Sequence, residues 1–362
     1  MTAVAKRQDM VVHQRDPLNA ESPPEVLGAA MQTPLDAFYM RNHGPVPKLD
    51  ASTWRLRVGG DVDCELELSL DKLQERFPPR ELTATLQCAG NRRAGLIAVR
   101  DIPGEVPWRG GATGTASWRG VALRDVLAVA GLGSEAKYVA FLGADVSEEA
   151  DPPQPFGASI PRHKAMAGEV LLAWQMNGRP LTPLHGAPLR VVVPGYIGAR
   201  SVKWVTEITA RAEPSENYFQ ASAYRLLTPE LDPDLAPPGS GVALGAIAVN
   251  ADILSPADGS TVAAGPIEII GYAFAGGDRH IVRVDVSDDG GARWRQAELI
   301  DPPAPWAWRR WRVTFTLPQG RHQIVARAWD SAAATQPERA EHVWNPKGYA
   351  NNAWPRVNVD AV

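Results

Sequence analysis

The chain has 362 residues, of which 44% are hydrophobic and 22% are charged, and its net charge is −4 at pH 7. This composition excludes a disordered chain, a coiled coil and a protein whose overall charge would attract nucleic acid, and the length suffices for about two domains. The 32 glycines and 32 prolines follow no period, which excludes collagen and favours many short strands over long helices.

The N-terminal residues do not have the pattern of a targeting segment. Residues 1–24 mix basic and acidic side chains without an apolar core, and no later stretch holds about 18 consecutive apolar residues. We therefore predict a cytoplasmic protein with neither a membrane nor a nucleic-acid partner. Two cysteines, Cys64 and Cys88, allow at most one disulfide and cannot form a four-thiolate metal site, so a reducing compartment is the simpler interpretation.

The first part of the chain predicts a mixed α+β domain. Two runs, Leu70–Arg76 and Leu123–Ala130, have helical apolar spacing, and the second ends at Gly131. The apolar run Leu189–Val193 predicts a strand that is buried on both faces. Strands are predicted over residues 54–58, 65–68, 84–87, 138–142, 189–193 and 202–208.

A segment rich in proline, glycine and acids, residues 232–241, interrupts the pattern of helices and strands. We place a domain boundary there and expect domains over residues 1–238 and 239–362. Beyond the boundary, short runs with partial two-residue alternation are separated by turn clusters and predict an antiparallel sandwich of about 100 residues. These runs are 267–274, 280–286, 311–317 and 322–329.

Cys88 stands in the most informative stretch of the chain, Leu86-Gln-Cys-Ala-Gly-Asn-Arg-Arg93. An arginine close to a thiol lowers its pKa and favours the thiolate, which is the nucleophilic and metal-binding form. A buried, inert cysteine is the other interpretation of these residues. Cys64 lies between Asp63 and Glu65, whose charges raise a thiol pKa, so we expect no reactive role for it.

Three further stretches of the first domain carry cations on small-residue turns. They are Arg41-Asn-His-Gly-Pro45, His185-Gly-Ala-Pro-Leu-Arg190 and Gly195-Tyr-Ile-Gly-Ala-Arg-Ser-Val-Lys203. Such donors suit a phosphate or another oxyanion, although a solvated loop is the alternative for the first of them. One thiolate candidate together with several cationic loops indicates an anionic cofactor, an anionic substrate or both.

These motifs resemble those of the sulfite oxidase family of molybdopterin enzymes. The family carries an Arg-Asn-His loop, a Cys-Ala-Gly-Asn-Arg-Arg turn, a His-Gly-x-Pro-x-Arg-Val-Val-Val-Pro-Gly segment and a Gly-Ala-Arg-x-Val-Lys-Trp segment, and all four occur here in that order. The resemblance extends from about Leu18 to Val359, and its opening segment, residues 19–24, resembles the plant-type and bacterial members that lack an attached haem domain. It implies a molybdopterin-binding domain followed by an immunoglobulin-like β-sandwich that forms a homodimer.

The resemblance also implies roles for individual residues. Cys88 would supply a thiolate to molybdenum, whose remaining sulfur ligands come from the pterin. The implied cofactor-holding residues are Tyr39, Arg41, Asn42, His43, Asp145, His185, Arg190, Ser201 and Lys203. The implied sulfite pocket consists of Arg41, Arg93, Trp108, Tyr224 and Lys347. Lys347 stands where the family's sulfite oxidases usually carry arginine, so the charge is kept and the planar, two-pronged donor is lost.

The activity that the resemblance implies is the molybdenum-dependent oxidation of sulfite to sulfate by oxo transfer. The sequence has no Cys-x-x-Cys-His haem motif and too few cysteines for an iron–sulfur cluster, so we expect electrons to leave to oxygen or to a separate acceptor protein. Two alternatives stay open. One is a family oxotransferase or reductase acting on another small oxyanion or a sulfoxide, and the other is a non-catalytic binding protein of the same fold.

Overall fold

The computed structural model describes residues 5–362. In these residues the regular structure is predominantly β, and the longest helix has eight residues. The chain begins with a hairpin of β1 (Val11–Arg15) and β2 (Leu18–Glu21), followed by α1 (Pro24–Ala29). None of the helices described has the length and hydropathy that a membrane-spanning helix requires.

The N-terminal part, which ends before the proline-rich segment 232–241, is built on two five-stranded sheets. Its remaining strands are β3 (Leu56–Gly60), β4 (Leu66–Leu68), β5 (Pro79–Gln87), β6 (Thr113–Ala122), β7 (Tyr138–Ser147), β8 (Gln154–Pro161), β9 (Leu171–Met176), β10 (Arg179–Pro180), β11 (Arg190–Val192), β12 (Val205–Arg211) and β13 (Arg225–Leu226). One sheet has the order β10-β9-β6-β5 with β11 also paired to β9, and the other has the order β4-β3-β12-β7-β8. Only the β12–β3 pair in these two sheets is parallel.

Short helices connect these strands. They are α2 (Leu70–Arg76), α3 (Arg93–Ile97), α4 (Leu123–Ala130) and α5 (Arg162–Ala165), with 3₁₀ turns at Pro183–His185, Gly198–Arg200 and Ala340–Val343 and a π turn at Phe219–Ala223. Both predicted helices are confirmed. The Ser69 hydroxyl caps α2 by accepting from the Lys72 amide at 3.1 Å, and Gly131 ends α4 with a φ of 72°.

The strand β11 lies between two hydrophobic cores, as its apolar sequence predicted. Val191 packs in the core that contains Ile208 of β12, whereas Val192 packs in the core that contains Leu86 and Cys88. All three residues of β11 are buried. Residues that flank this strand therefore come close to the end of β5, where the conspicuous cysteine lies.

The C-terminal part contains β14 (Val242–Ala243), β15 (Asn250–Ser255), β16 (Ser260–Val262), β17 (Gly265–Phe274), β18 (Ile281–Ser287), β19 (Arg295–Gln296), β20 (Glu298–Leu299), β21 (Arg309–Leu317), β22 (Gly320–Asp330) and β23 (Arg356–Ala361). A four-stranded sheet has the order β15-β17-β21-β20, and a five-stranded sheet has the order β16-β23-β22-β18-β19. Ile269 and Val313 of the first sheet share one core with Val284 and Ile324 of the second, so the two sheets pack face to face.

The two parts of the chain are joined at the turn that follows Cys88. The Asn91 side chain donates to the Tyr272 hydroxyl at 3.0 Å, and Arg92 donates to the carbonyls of Ala251 at 3.1 Å and Ala353 at 2.7 Å. The strands β13 and β14, which lie on either side of the proline-rich segment, also pair with each other. The C-terminal part therefore helps to hold the cysteine turn in place.

Candidate active site

Cys88 lies immediately after β5, at the start of the turn into α3. The Cys88 amide donates to the Ala112 carbonyl at 2.9 Å, which continues the β5–β6 ladder beyond the end of the strand. The Cys88 Sγ accepts a hydrogen bond from the Gly90 amide at 3.4 Å. Arg92 adopts a left-handed φ of 64° at the start of α3. Strand and turn together hold this buried thiol in one position.

The structure corrects the expected acidity of this thiol. Burial raises the pKa of Cys88 above its ordinary value, and the charges of Arg93 and Arg41 only partly offset that rise. A buried thiol with a raised pKa is a poor free nucleophile, whereas metal coordination deprotonates a thiol outright. Cys64 is exposed, and both cysteines are free thiols. The site therefore favours Cys88 as a metal ligand over Cys88 as a nucleophile.

The loop that contains Arg41 and His43 is tied to an acid that the sequence did not single out. Arg41 Nη2 lies 3.2 Å from Glu149 Oε1, and His43 Nδ1 lies 2.7 Å from Glu149 Oε2. The His43 Nε2 lies 2.7 Å from the Tyr224 hydroxyl. Glu149 follows β7, so the end of this strand orients both side chains of the loop.

Burial determines the protonation of this histidine. It lowers the pKa of His43 to about 4, and the charge of Arg41 adds to the effect. Burial works against ionisation of Glu149, but hydrogen bonds from His43 and Arg41 lower its pKa to about 2. Because a carboxylate only accepts, the neutral imidazole donates from Nδ1 to Glu149 and accepts the Tyr224 proton at Nε2.

A second group of cations contacts neutral oxygens rather than carboxylates. Arg190 donates to the backbone carbonyls of His185 at 3.1 Å and Ser201 at 3.0 Å. Lys203 donates to the Asn42 side-chain oxygen and to the Leu184 carbonyl. No carboxylate among residues 5–362 forms an ion pair with Arg190 or Lys203. Neither side chain is therefore bonded to a carboxylate, and both can donate to an anionic ligand.

Burial also shifts the pKa values in this second group. It lowers the pKa of Lys203 to about 7, against the opposing charge of Asp145, and it lowers the pKa of Arg190 to about 10. Burial raises the pKa of Asp145 to about 6, although Lys203 acts in the opposite direction. A bound anion would favour the charged forms of both cations.

Most of the residues implied by the resemblance line a single cavity. Its predicted lining residues are Tyr39, Arg41, His43, Cys88, Asp145, His185, Arg190, Ser201, Lys203 and Tyr224. They come from loops far apart in the chain, and the ends of β5, β7 and β11 bring them together. A thiol and several buried cations therefore face the same space.

Two predicted residues contribute from outside the cavity lining. Asn42 is held by Asn19 and by the Leu18 carbonyl, and its side-chain oxygen accepts from Lys203. Trp108 is fully buried in the same hydrophobic cluster as Cys88, and its ring meets His13 edge-on at 4.9 Å. Asn42 therefore positions a cavity lysine, and Trp108 packs beside the cavity.

Arg93 and Lys347 lie apart from the cavity lining and share an acid. Arg93 Nη2 is 3.0 Å from Glu105 Oε2, and Lys347 Nζ is 3.8 Å from Glu105 Oε1. Lys347 lines a separate polar cavity that also includes Tyr218 and Arg225. The three expected sulfite-binding cations are thus not gathered around one open space.

Sequence reasoning missed three charged residues at this site. Glu149 and Glu105 pair with the expected arginines, and Lys6 Nζ lies 2.8 Å from His185 Nε2. Burial lowers the pKa of Lys6 to about 7. Glu149 stood in the acidic run Glu148–Asp151, which reads as a solvated loop, and Lys6 stood in a mixed-charge segment. Nothing local in the sequence distinguished these residues.

The chemistry of the cavity fits the molybdopterin that the resemblance implies. Buried cations without carboxylate partners suit the pterin phosphate. Asp145 Oδ1 is a buried acceptor with no hydrogen-bond partner among the residues described, and it could receive an N–H of the pterin. No group of three or more His, Cys, Asp or Glu side chains within residues 5–362 could hold a metal. A metal on Cys88 would therefore need ligands from the cofactor.

Comparisons with known proteins identify the family of this chain. Residues 43–219 match the family described as "Oxidoreductase molybdopterin binding domain", and residues 242–362 match the "Mo-co oxidoreductase dimerisation domain". Mitochondrial sulfite oxidase of Rattus norvegicus is 43% identical over 97% of this chain. The chain spans 65% of the length of that relative.

Two further relatives resemble almost the whole chain. Sulfite oxidase of Arabidopsis thaliana is 38% identical, and the alignment covers 97% of this chain and 94% of the plant protein. The solved structure of the sulfane dehydrogenase SoxCD from Paracoccus pantotrophus has a TM-score of 0.82 and 28% identity, and the match covers 99% of this chain and 91% of that one. Both parts of this chain therefore have counterparts in single relatives.

Proposed function

This chain belongs to the sulfite oxidase family of molybdopterin oxidoreductases, and on that premise we propose that it oxidises sulfite to sulfate. The observation that carries the proposal is the cavity in which the Cys88 thiol lies among buried cations. When bound, the molybdenum cofactor supplies the oxo transfer and accepts the two electrons of the oxidation. The protein's own residues bind, orient and shield the reactants.

Holding the cofactor is the task of the residues around Cys88. The Cys88 thiolate is the protein's ligand for molybdenum. Arg190 and Lys203 neutralise the phosphate of the pterin, since their present partners are only neutral oxygens. Asp145 would accept a hydrogen bond from the pterin, and Lys6 holds His185 in position.

Arg41 and Tyr224 line the cavity and orient sulfite there, and Arg93 and Lys347, which lie outside the cavity lining, add positive charge from the side of Glu105. Sulfite carries negative charge on its oxygens and a lone pair on sulfur, so cations that hold the oxygens direct the sulfur toward the reacting centre. The Tyr224 hydroxyl reaches the cavity and is positioned by His43. Trp108 packs in the same hydrophobic cluster as Cys88 and supports that side of the site.

The proposal is tested on the purified protein by its molybdenum content and by its visible absorption. We expect about one molybdenum per chain and bleaching of the near-visible absorption by sulfite, with turnover when ferricyanide is the acceptor. Protein that contains molybdenum and reacts with a sulfoxide or another oxyanion, but not with sulfite, would favour the other oxotransferase activity. Protein that does not load molybdenum would refute both.

We further propose the domain division at residues 238 and 239 and an immunoglobulin-like topology for the second domain. The face-to-face packing of its two sheets supports that topology. The match to a dimerisation domain over residues 242–362 supports a homodimer, which light scattering would detect. Electrons pass to oxygen or to a separate acceptor protein, and the cytoplasmic location stays a prediction.

A further inference from the structure

Glu105 bridges two of the cations that are expected to bind the substrate. It follows Gly104, which has a φ of 76° and turns the chain between α3 and β6. One carboxylate oxygen is 3.0 Å from Arg93 Nη2, and the other is 3.8 Å from Lys347 Nζ. The side chains of Glu105 and Lys347 are only 20% and 19% exposed, so solvent screens this cluster less than a surface pair.

The guanidinium of Arg93 is fixed in its present orientation. Its Nε donates to the carbonyls of Lys347 and Gly348 at 3.1 and 3.3 Å, and Nη1 donates to the Val106 carbonyl at 2.9 Å. These acceptors belong to the backbone, whereas Glu105 is the only charged acceptor on Arg93 among the residues described. An anion that approaches Arg93 must therefore share the guanidinium with Glu105 or displace its carboxylate.

The charge of Glu105 also acts on the cavity itself. Tyr224 lines the cavity, and burial raises the pKa of its hydroxyl. The charge of Arg41 opposes that rise, whereas the charges of Cys88, Glu149 and, with the smallest effect, Glu105 add to it. A ligand with negative charge beside Tyr224 would therefore be repelled by Glu105.

From this geometry we infer that Glu105 is a positioning residue that sets the charge selectivity of the substrate site. Its carboxylate competes with bound oxyanions for Arg93 and Lys347 and repels a doubly charged anion more strongly than a singly charged one. Product sulfate is a dianion, so Glu105 promotes its release. This inference rests on the proposed function for the identity of the anions, and it adds a residue that weakens their binding.

The test is calorimetric titration of the molybdenum-loaded enzyme with sulfate, a dianion, and with methanesulfonate, a monoanion of similar shape. In Glu105→Gln we expect sulfate to bind about tenfold more tightly than in the wild type, and methanesulfonate only about threefold more tightly. Glu216→Gln is the matched control, because it removes the same charge from a side chain that is 89% exposed. We expect this control to bind both anions as the wild type does.

Equal affinities in Glu105→Gln and Glu216→Gln, or equal gains for both anions, would overturn the inference. Glu105→Ala serves as the second variant if the glutamine variant does not load molybdenum. In turnover, the change should appear as a lower KM for sulfite and stronger inhibition by sulfate, with a smaller change in kcat. Anion titration needs no turnover, so it gives an answer even if the enzyme fails to oxidise sulfite.

Discussion

The two groups of cations in this molecule differ in what balances their charge. Arg190 and Lys203 donate only to neutral oxygens, whereas Arg41 and Arg93 each pair with a carboxylate, Glu149 and Glu105 respectively. An anion that binds the first group displaces no bonded carboxylate, although the charge of Asp145 acts on Lys203, and one that binds the second group competes with a paired acid. This difference suits a permanently held cofactor on one side and a substrate that must leave on the other.

The largest effect is expected from removing the Cys88 thiol, which we assign as the ligand for the metal. We expect Cys88→Ser to lower sulfite turnover to below about one thousandth of the wild-type rate, because a ligand is lost. The midpoint of thermal unfolding should change little, since serine is of similar size. Cys64→Ser is the control, because Cys64 is exposed, and it should keep full activity. Retained sulfite oxidation in Cys88→Ser would refute the ligand assignment.

His43, which shares Glu149 with Arg41, should make the stability of the protein depend on pH. In the folded protein the pKa of His43 is about 4, against an ordinary value of 6.5. Between these values the unfolded chain binds a proton that the folded protein does not, so His43 makes the wild type less stable as the pH falls. His43→Gln should lose less stability between pH 7 and pH 5, by on the order of 2 kcal/mol.

Thermal or denaturant unfolding of both proteins at pH 5, 6 and 7 would measure this difference. The glutamine amide can still donate to Glu149 and accept from Tyr224, so the hydrogen bonds of the imidazole are largely kept. Parallel stability curves for the two proteins would show that His43 titrates normally in the folded state.

Arg190 and Lys203, which have no bonded carboxylate, should control retention of the cofactor. Lys203→Met removes a buried positive charge that we assign to the pterin phosphate, so molybdenum content after dialysis should fall by about tenfold or more. Lys137→Met is the control, because Lys137 is exposed. Molybdenum content is measured by mass spectrometry of the metal. Equal contents in the two variants would separate Lys203 from the cofactor.

The smallest expected effect concerns Lys347. Replacing it with arginine restores a planar donor, and we expect Lys347→Arg to lower the KM for sulfite by about threefold with little change in kcat. Lys48→Arg makes the same exchange at an exposed position and should change neither constant. A KM that stays the same at several pH values would mean that Lys347 does not touch the substrate.

Much of the fold was predictable where local pattern and burial agree. The helices α2 and α4 have clear apolar spacing, a capping serine or a terminal glycine, and both formed at the predicted bounds. The strand β6 (Thr113–Ala122) was missed, because its Gly, Ala and Ser residues interrupt the strand-forming Thr, Trp and Val residues. It is a strand because β5 and β9 pair with it on both sides. Such pairing between distant strands also explains why the structure is predominantly β, whereas the sequence predicted a mixed α+β domain.

The sequence by itself determined the motifs, their order and the family, because these depend on residue types and local spacing. It also placed Cys88 among cationic loops. Only the tertiary structure decided that burial outweighs the arginines at this thiol, that Lys6 reaches His185, and that Glu105 lies between Arg93 and Lys347. Burial and charge pairing depend on atoms that are distant along the chain. No local pattern therefore reveals which cation is paired with a carboxylate.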